Sequence, residues 1–124
     1  MDIPNNGKAG NMKEKNILCG SNSYYKKYYF NEDFSALPDS IKKELQIMCV
    51  CYTEEVGGVL TLEYNEEGNL EFLINAPLED YLFDEIGSAL KIKQIQQQKR
   101  ELLESLELFF KVFYLGKDIE GRLE

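Results

Sequence analysis

The chain has 124 residues but no histidine and no tryptophan, and it contains only three cysteines. Without histidine, the serine–histidine and cysteine–histidine pairs of nucleophilic hydrolases are excluded in their usual form. Three thiols without an imidazole are too few for a structural zinc site within one chain. We therefore expect no cofactor and no metal, and we rank enzymatic activity behind protein–protein interaction and ligand sensing.

Long apolar segments are missing as well. No run approaches the roughly 18 consecutive apolar residues of a membrane-spanning helix, and the N-terminal residues have no apolar region of the signal-peptide type. No glycine-rich phosphate-binding motif is present either. We therefore expect a cytoplasmic protein with no membrane partner. Its composition predicts a single domain at 17–116 between a flexible leader at 1–16 and a short polar tail at 117–124.

Basic residues are absent from one long segment. Glu44–Glu85 contains eleven carboxylates and no lysine or arginine, in a chain whose net charge is −8. A surface of this sign repels phosphate groups, so we expect no nucleic-acid partner. A solvated acidic face is the simplest interpretation of the segment, and a docking surface for a basic protein is the alternative.

Apolar periodicity predicts an α+β domain. Residues 39–55 have helical spacing, and residues 59–64 and 69–75 alternate as the two strands of a hairpin whose turn contains Gly68. Upstream, residues 17–30 predict a short edge strand, a turn at 20–23 and a tyrosine-rich strand, which we interpret as sheet rather than as a base-stacking surface. The order β(β)-α-β-β-α predicts an antiparallel sheet of three or four strands packed against helices.

The first helix has a wide apolar face. Ile47, Val50 and Cys51 extend this face and predict deep burial. Cys49 and Cys51 point away from each other on a helix, so they do not form a metal-binding pair. We interpret the cysteines as buried structural residues.

The C-terminal third has the strongest pattern. Residues 82–115 predict one long helix of roughly 50 Å, which exceeds the diameter of a compact domain of this size. We expect a kink or short break near Gly87. The end of the helix, from Leu108 to Leu115, is apolar nearly all round and predicts coverage on every side. A strand is the alternative for this aromatic segment.

One face of the long helix carries spacings of three and four residues, the heptad pattern of a helix that pairs with another helix. This face is a candidate self-association seam, formed by Ile92, Ile95, Lys99, Leu102, Leu106 and Phe109. A basic stretch at 91–100 lies between acidic stretches at 79–85 and 101–107, and this arrangement would let two copies pair antiparallel. We therefore predict a homodimer.

Four carboxylates precede the long helix. Acid–base catalysis would require one of them in an apolar pocket that raises its pKa. A simpler explanation is that carboxylates stabilise the positive end of a helix dipole. The members of this candidate cluster are Glu79, Asp80, Asp84 and Glu85.

Several phrases of the sequence occur together: Cys19-Gly20 with Ser23-Tyr24, Lys27-Tyr28-Tyr29, Glu44-Leu45-Gln46-Ile47, Thr53-Glu54-Glu55-Val56-Gly57-Gly58 and Asp84-Glu85-Ile86-Gly87-Ser88. The combination resembles an uncharacterised family of small acidic bacterial proteins, known as a domain of unknown function, over residues 17 to about 116. The resemblance implies a shared fold. It implies no activity, cofactor or site residue.

Two functions of different classes follow as hypotheses. The first is a small cytoplasmic interaction or assembly module that self-associates through its long C-terminal helix. The alternative is a regulatory domain that senses a small molecule in a pocket between sheet and helix lined by tyrosine and phenylalanine.

Overall fold

A computed structural model describes residues 16–116, so the predicted leader, apart from Asn16, and the predicted tail lie outside the described residues. The described part has an α+β fold, in agreement with the sequence. Its elements in chain order are β1 (Ile17–Asn22), β2 (Lys27–Phe30), a 3₁₀ turn (Glu32–Phe34), α1 (Asp39–Val56), β3 (Val59–Tyr64), β4 (Leu70–Asn75), α2 (Glu85–Gln98) and α3 (Arg100–Phe113).

The four strands form one antiparallel sheet in the order β2-β1-β3-β4. Strands β3 and β4 are the predicted hairpin. Its turn places Gly68 at a φ of 88°, a left-handed value that glycine adopts without steric penalty.

The prediction for β1 is wrong in two respects. The strand does not end before Gly20 but continues to Asn22, and it lies between β2 and β3 rather than at an edge. A Cβ atom on Gly20 would lie 2.9 Å from the carbonyl oxygen of Leu60, so this glycine permits a close approach between paired strands. The turn comes later, and Lys26, with a φ of 56°, ends it.

The core lies between one face of the sheet and the helices. Leu60, Leu62 and Tyr64 of β3 are fully buried on this face. Helix α1 contributes one buried stripe that includes Leu45, Met48, Cys49 and Tyr52. The opposite face of the sheet carries exposed side chains such as Tyr29 and Leu73, and no helix of the described residues covers it.

The apolar face of α1 is narrower than predicted. Ile47 is 55% exposed, Cys51 is exposed and Val50 is only half-buried. The expectation of deep burial is therefore wrong for Ile47 and Cys51, because only one side of α1 faces the sheet.

The predicted long helix is divided, but at a different place. A Cβ atom on Gly87 would collide with the carboxylate of Asp84, whose Oδ1 accepts a 3.0 Å hydrogen bond from Gly87 N. The glycine thus accommodates the cap at the start of α2. The break occurs at Lys99, where φ and ψ are −108° and 26°. No glycine or proline marks it in the sequence.

Helices α2 and α3 are fixed to the core by different contacts. The hydroxyl of Tyr52 donates a 3.1 Å hydrogen bond to the carbonyl oxygen of Ser88, and Ile95 is buried about two turns further along the same face of α2. Helix α3 buries Leu102, Leu103, Leu106 and Phe110.

The strand alternative for the C-terminal aromatic segment is wrong, because the chain is helical to Phe113. The predicted coverage on every side is also wrong within the described residues. Leu108 and Phe113 are 48% and 70% exposed, whereas Phe110 is buried. Helix α3 is therefore amphipathic to its end.

Candidate interaction surface

The candidate self-association seam lies on the side of α2 and α3 that faces the chain's own core. Ile95, Leu102 and Leu106 are buried, with exposures of 7%, 7% and 1%, and Ile92 and Phe109 pack against the core. Lys99 Nζ lies 3.3 Å from Glu44 Oε2 of α1. Self-association through these six side chains remains an untested prediction, and their apolar surface is already used within one chain.

The four candidate carboxylates do not converge on one point. Asp84 caps α2, as described above. Asp80 accepts a 2.6 Å hydrogen bond from the hydroxyl of Tyr24 through Oδ2 and a 3.2 Å hydrogen bond from Leu82 N through Oδ1. Glu79 and Glu85 are exposed. Within residues 16–116, no three His, Cys, Asp or Glu side chains are grouped closely enough to hold a metal ion.

The hydrogen bond between Tyr24 and Asp80 connects the turn after β1 with the segment that leads into α2. This bond, together with desolvation and the negative charge of Asp80, raises the pKa of Tyr24 to about 12. The contact links the turn after β1 to the segment before α2.

An apolar patch occupies the segment between β4 and the first two turns of α2. We define the apolar patch as five side chains whose exposures are 94%, 91%, 94%, 75% and 62%: Leu78, Tyr81, Leu82, Ile86 and Leu90, respectively. Single exposed apolar residues are normal on protein surfaces, but a concentration of large ones indicates an interaction site.

Sequence reasoning missed this patch. The heptad pattern includes Ile92 and Ile95, which face the core, and it includes none of the five residues of the apolar patch. Ile86 and Leu90 lie one turn apart on the other side of α2, and Leu82 continues their spacing of four residues. That spacing was the available signal, but periodicity alone does not tell which of two apolar stripes faces the sheet.

A groove adjoins the apolar patch. A cavity of about 430 Å³ lies between the end of α1 and the start of α2, with Val56, Leu82 and Leu90 among its lining residues. An ion pair of 3.1 Å between Lys91 Nζ and Glu55 Oε1 links the same two helices. The surface therefore presents projecting apolar side chains next to a partly apolar depression.

The aromatic side chains between sheet and helix pack on one another. The rings of Tyr64 and Phe110 stack with centroids 4.0 Å apart, and those of Phe110 and Tyr114 stack at 5.1 Å. Phe34 contacts all three rings at 5.0–6.2 Å. The rings of Phe34, Tyr64 and Phe110 fill space in the core, and Tyr114 packs on them from an exposed position. A ligand-sensing function remains an untested prediction.

The three cysteines have two different environments. The sulfur atoms of Cys19 and Cys49 lie 3.8 Å apart in the core. The contact with Cys19 and burial raise the pKa of the Cys49 thiol well above its usual range. Cys51 is exposed, so the prediction of buried cysteines is wrong for this residue.

Comparison with protein families gives a match that covers residues 15–118. The chain belongs to DUF6145. It is described as a family of unknown function, so membership confirms the resemblance to an uncharacterised family and assigns no chemistry. Comparisons with curated proteins and with solved structures find no match. In the described part of this DUF6145 member, no helix has the length and apolarity needed to cross a bilayer.

Proposed function

We propose that this DUF6145 protein is an assembly module that self-associates through the apolar patch. The observation that carries the proposal is the exposure of the patch: its five large apolar side chains are each at least 62% accessible to solvent. Helix α2 is anchored to the core by its opposite side, through Ser88 and Ile95. Ile86 and Leu90 of the patch are thus held on a folded helix, and Leu78, Tyr81 and Leu82 lie in the segment that leads into it.

The side chains of the patch are large enough to supply the main favourable free energy of a dimer if both copies bury them fully. Burying a large apolar side chain contributes about 1.5–3 kcal/mol, so ten such side chains from two copies contribute about 15–30 kcal/mol before costs. Association costs about 4–15 kcal/mol in lost freedom of motion. The surplus allows dissociation constants in the micromolar range or below, which correspond to about −8 kcal/mol.

A second copy of the chain suits this surface because the surface has both projecting apolar side chains and a groove that can receive them. Leu78 and Tyr81 project into solvent, and Leu82 and Leu90 of the same patch line the groove together with Val56. In a two-fold symmetric dimer, the same patch on both subunits must complement itself, and a projection next to a depression satisfies this requirement. A basic protein that meets the acidic residues around the patch is the competing occupant.

Size-exclusion chromatography with light scattering tests the proposal on the full chain. At micromolar concentration we expect a mass of about twice the 14.4 kDa of one chain. Ile86→Glu should give a monomer, because two like charges would be buried at the symmetric contact. Ile47→Glu is the matched control, since Ile47 is an exposed isoleucine on α1 outside the patch, and it should leave the dimer intact.

A monomeric wild-type protein at about 100 µM, a concentration well above a micromolar dissociation constant, would contradict the proposal. Loss of the dimer in both variants would show that the contact lies outside the apolar patch or that glutamate acts non-specifically. A monomer that binds a lysine-rich peptide would favour the basic partner instead.

A further inference from the structure

Two oppositely charged side chains flank the apolar residues of α2. Glu85 begins the helix and Lys93 lies two turns further on, with Ala89 midway between them. All three residues are exposed. Spacings of four residues keep them on neighbouring positions of one helix face, beside Ile86 and Leu90.

Neither charge is neutralised within the described part of the chain. Lys91 pairs with Glu55 and Lys99 pairs with Glu44, but no ion pair within residues 16–116 involves Glu85 or Lys93. Eight residues of helix separate Glu85 from Lys93 by roughly 12 Å, which is too far for them to pair with each other. Each charge is therefore available to a partner.

We infer that two copies pair through antiparallel α2 helices centred on Ala89, with Glu85 of each copy facing Lys93 of the other. This inference rests on the proposed function and adds its geometry. A two-fold axis at Ala89 brings position 85 opposite position 93 in both directions, so the two ion pairs form together. The small side chain of Ala89 lets the helices approach closely.

The exposed apolar residues lie close to this axis. With the axis at Ala89, Ile86 of one copy lies opposite position 92 of the other copy, two residues or roughly 3 Å along the helix from Leu90, and both Ile86 and Leu90 lie on the side of α2 that is away from the buried Ser88 and Ile95. The ion pairs flank these apolar residues at both ends. Charge pairs of this kind set orientation and register more than affinity.

Charge reversal tests the register. Glu85→Lys alone and Lys93→Glu alone each place like charges opposite one another, so we expect each to weaken the dimer about tenfold, the equivalent of 1.4 kcal/mol. The double variant restores both pairs with exchanged signs and should dimerise within about threefold of the wild type. Sedimentation equilibrium of the full chain measures all four dissociation constants.

The matched control is Glu101→Lys, which changes the net charge by the same amount at an exposed position on α3 and should leave the dissociation constant unchanged. A wild-type dimer whose double variant is as weak as the single variants would overturn the register but not the proposed self-association. A wild-type monomer would overturn both. If Glu101→Lys weakens the dimer as much as the single variants at Glu85 and Lys93 do, the change in affinity comes from net charge. That result would also overturn the register.

Discussion

The hydroxyl of Tyr64, at the end of β3, donates a 2.9 Å hydrogen bond to the carbonyl oxygen of Leu106 in the middle of α3. Both residues are almost completely buried. The bond ties the sheet to the last helix at a point where the ring of Tyr64 also stacks on Phe110. A second buried phenol, that of Tyr28, has no hydrogen-bond partner of good geometry among residues 16–116, and burial together with the neighbouring Cys19 raises its pKa well above the usual range. The two tyrosines therefore provide a direct comparison.

Replacing these tyrosines by phenylalanine should have different effects on stability. Tyr64→Phe removes a made hydrogen bond and should lower the free energy of unfolding by about 1–2 kcal/mol. Tyr28→Phe removes a buried hydroxyl that makes no hydrogen bond with the described part of the chain, so stability should stay the same or rise by up to about 1 kcal/mol. Denaturation by guanidinium chloride measures both. Equal losses in the two variants would contradict this reading of the contacts.

The amphipathic character of α3 predicts a contrast between two leucines. Leu106 is 1% exposed and Leu108 is 48% exposed. Leu106→Ala should lower the free energy of unfolding by about 2–5 kcal/mol, because it removes buried methyl groups and leaves a cavity. Leu108→Ala is the matched control and should change it by less than about 0.5 kcal/mol. A large loss of stability in Leu108→Ala that appears only when the protein is dimeric would place Leu108 in the subunit contact.

Sequence reasoning recovered the hairpin and the main helices because their signals are local. The alternation of Leu60 and Leu62 with polar residues, closed by Gly68, leaves few other structures open. The break at Lys99 had no local signal, and the hydrogen bonds from Lys99 N to Ile95 O and from Leu103 N to Lys99 O continue through it. Its position follows from packing on the core, which a single sequence does not show.

The error at Gly20 and the core-facing position of the candidate seam have a related cause. Glycine serves both in turns and where backbones approach closely, and the choice at Gly20 depends on the neighbouring strand β3. In the same way, the heptad spacing of Ile95 and Leu102 is produced equally by a second chain and by the chain's own sheet. The exposed stripe of Ile86 and Leu90 could be recognised only once the buried stripe had been assigned to the core.

The contact between Tyr24 and Asp80 predicts a pH effect at high pH. The folded-state pKa of Tyr24, about 12, lies above the ordinary 10.0, so folding favours the protonated phenol. Its contribution to stability is complete below pH 10 and is lost as the pH rises through 12. Spectrophotometric titration of wild type and Asp80→Asn should show one tyrosine whose pKa falls towards 10 in the variant. Identical titrations would contradict the contact.

The environments of the cysteines predict selective thiol reactivity. A thiol-specific reagent at neutral pH should modify Cys51 rapidly, whereas Cys19 and Cys49 are buried and the raised pKa of Cys49 keeps it protonated. We expect one fast thiol in the native protein and three in denaturant. Cys51→Ser should remove the fast reaction. Rapid modification of Cys49 in the native state would show that α1 does not cover the sheet as described.

Hydrogen–deuterium exchange at two protein concentrations tests the central claim most directly, because it reports both association and its location. Raising the concentration of the full chain from below to above the dissociation constant should slow exchange in the segment 82–93. Exchange in the first half of α1, around Leu45, should not change. Concentration-independent exchange in 82–93, or slowing confined to the open face of the sheet around Tyr29, would contradict self-association through the apolar patch.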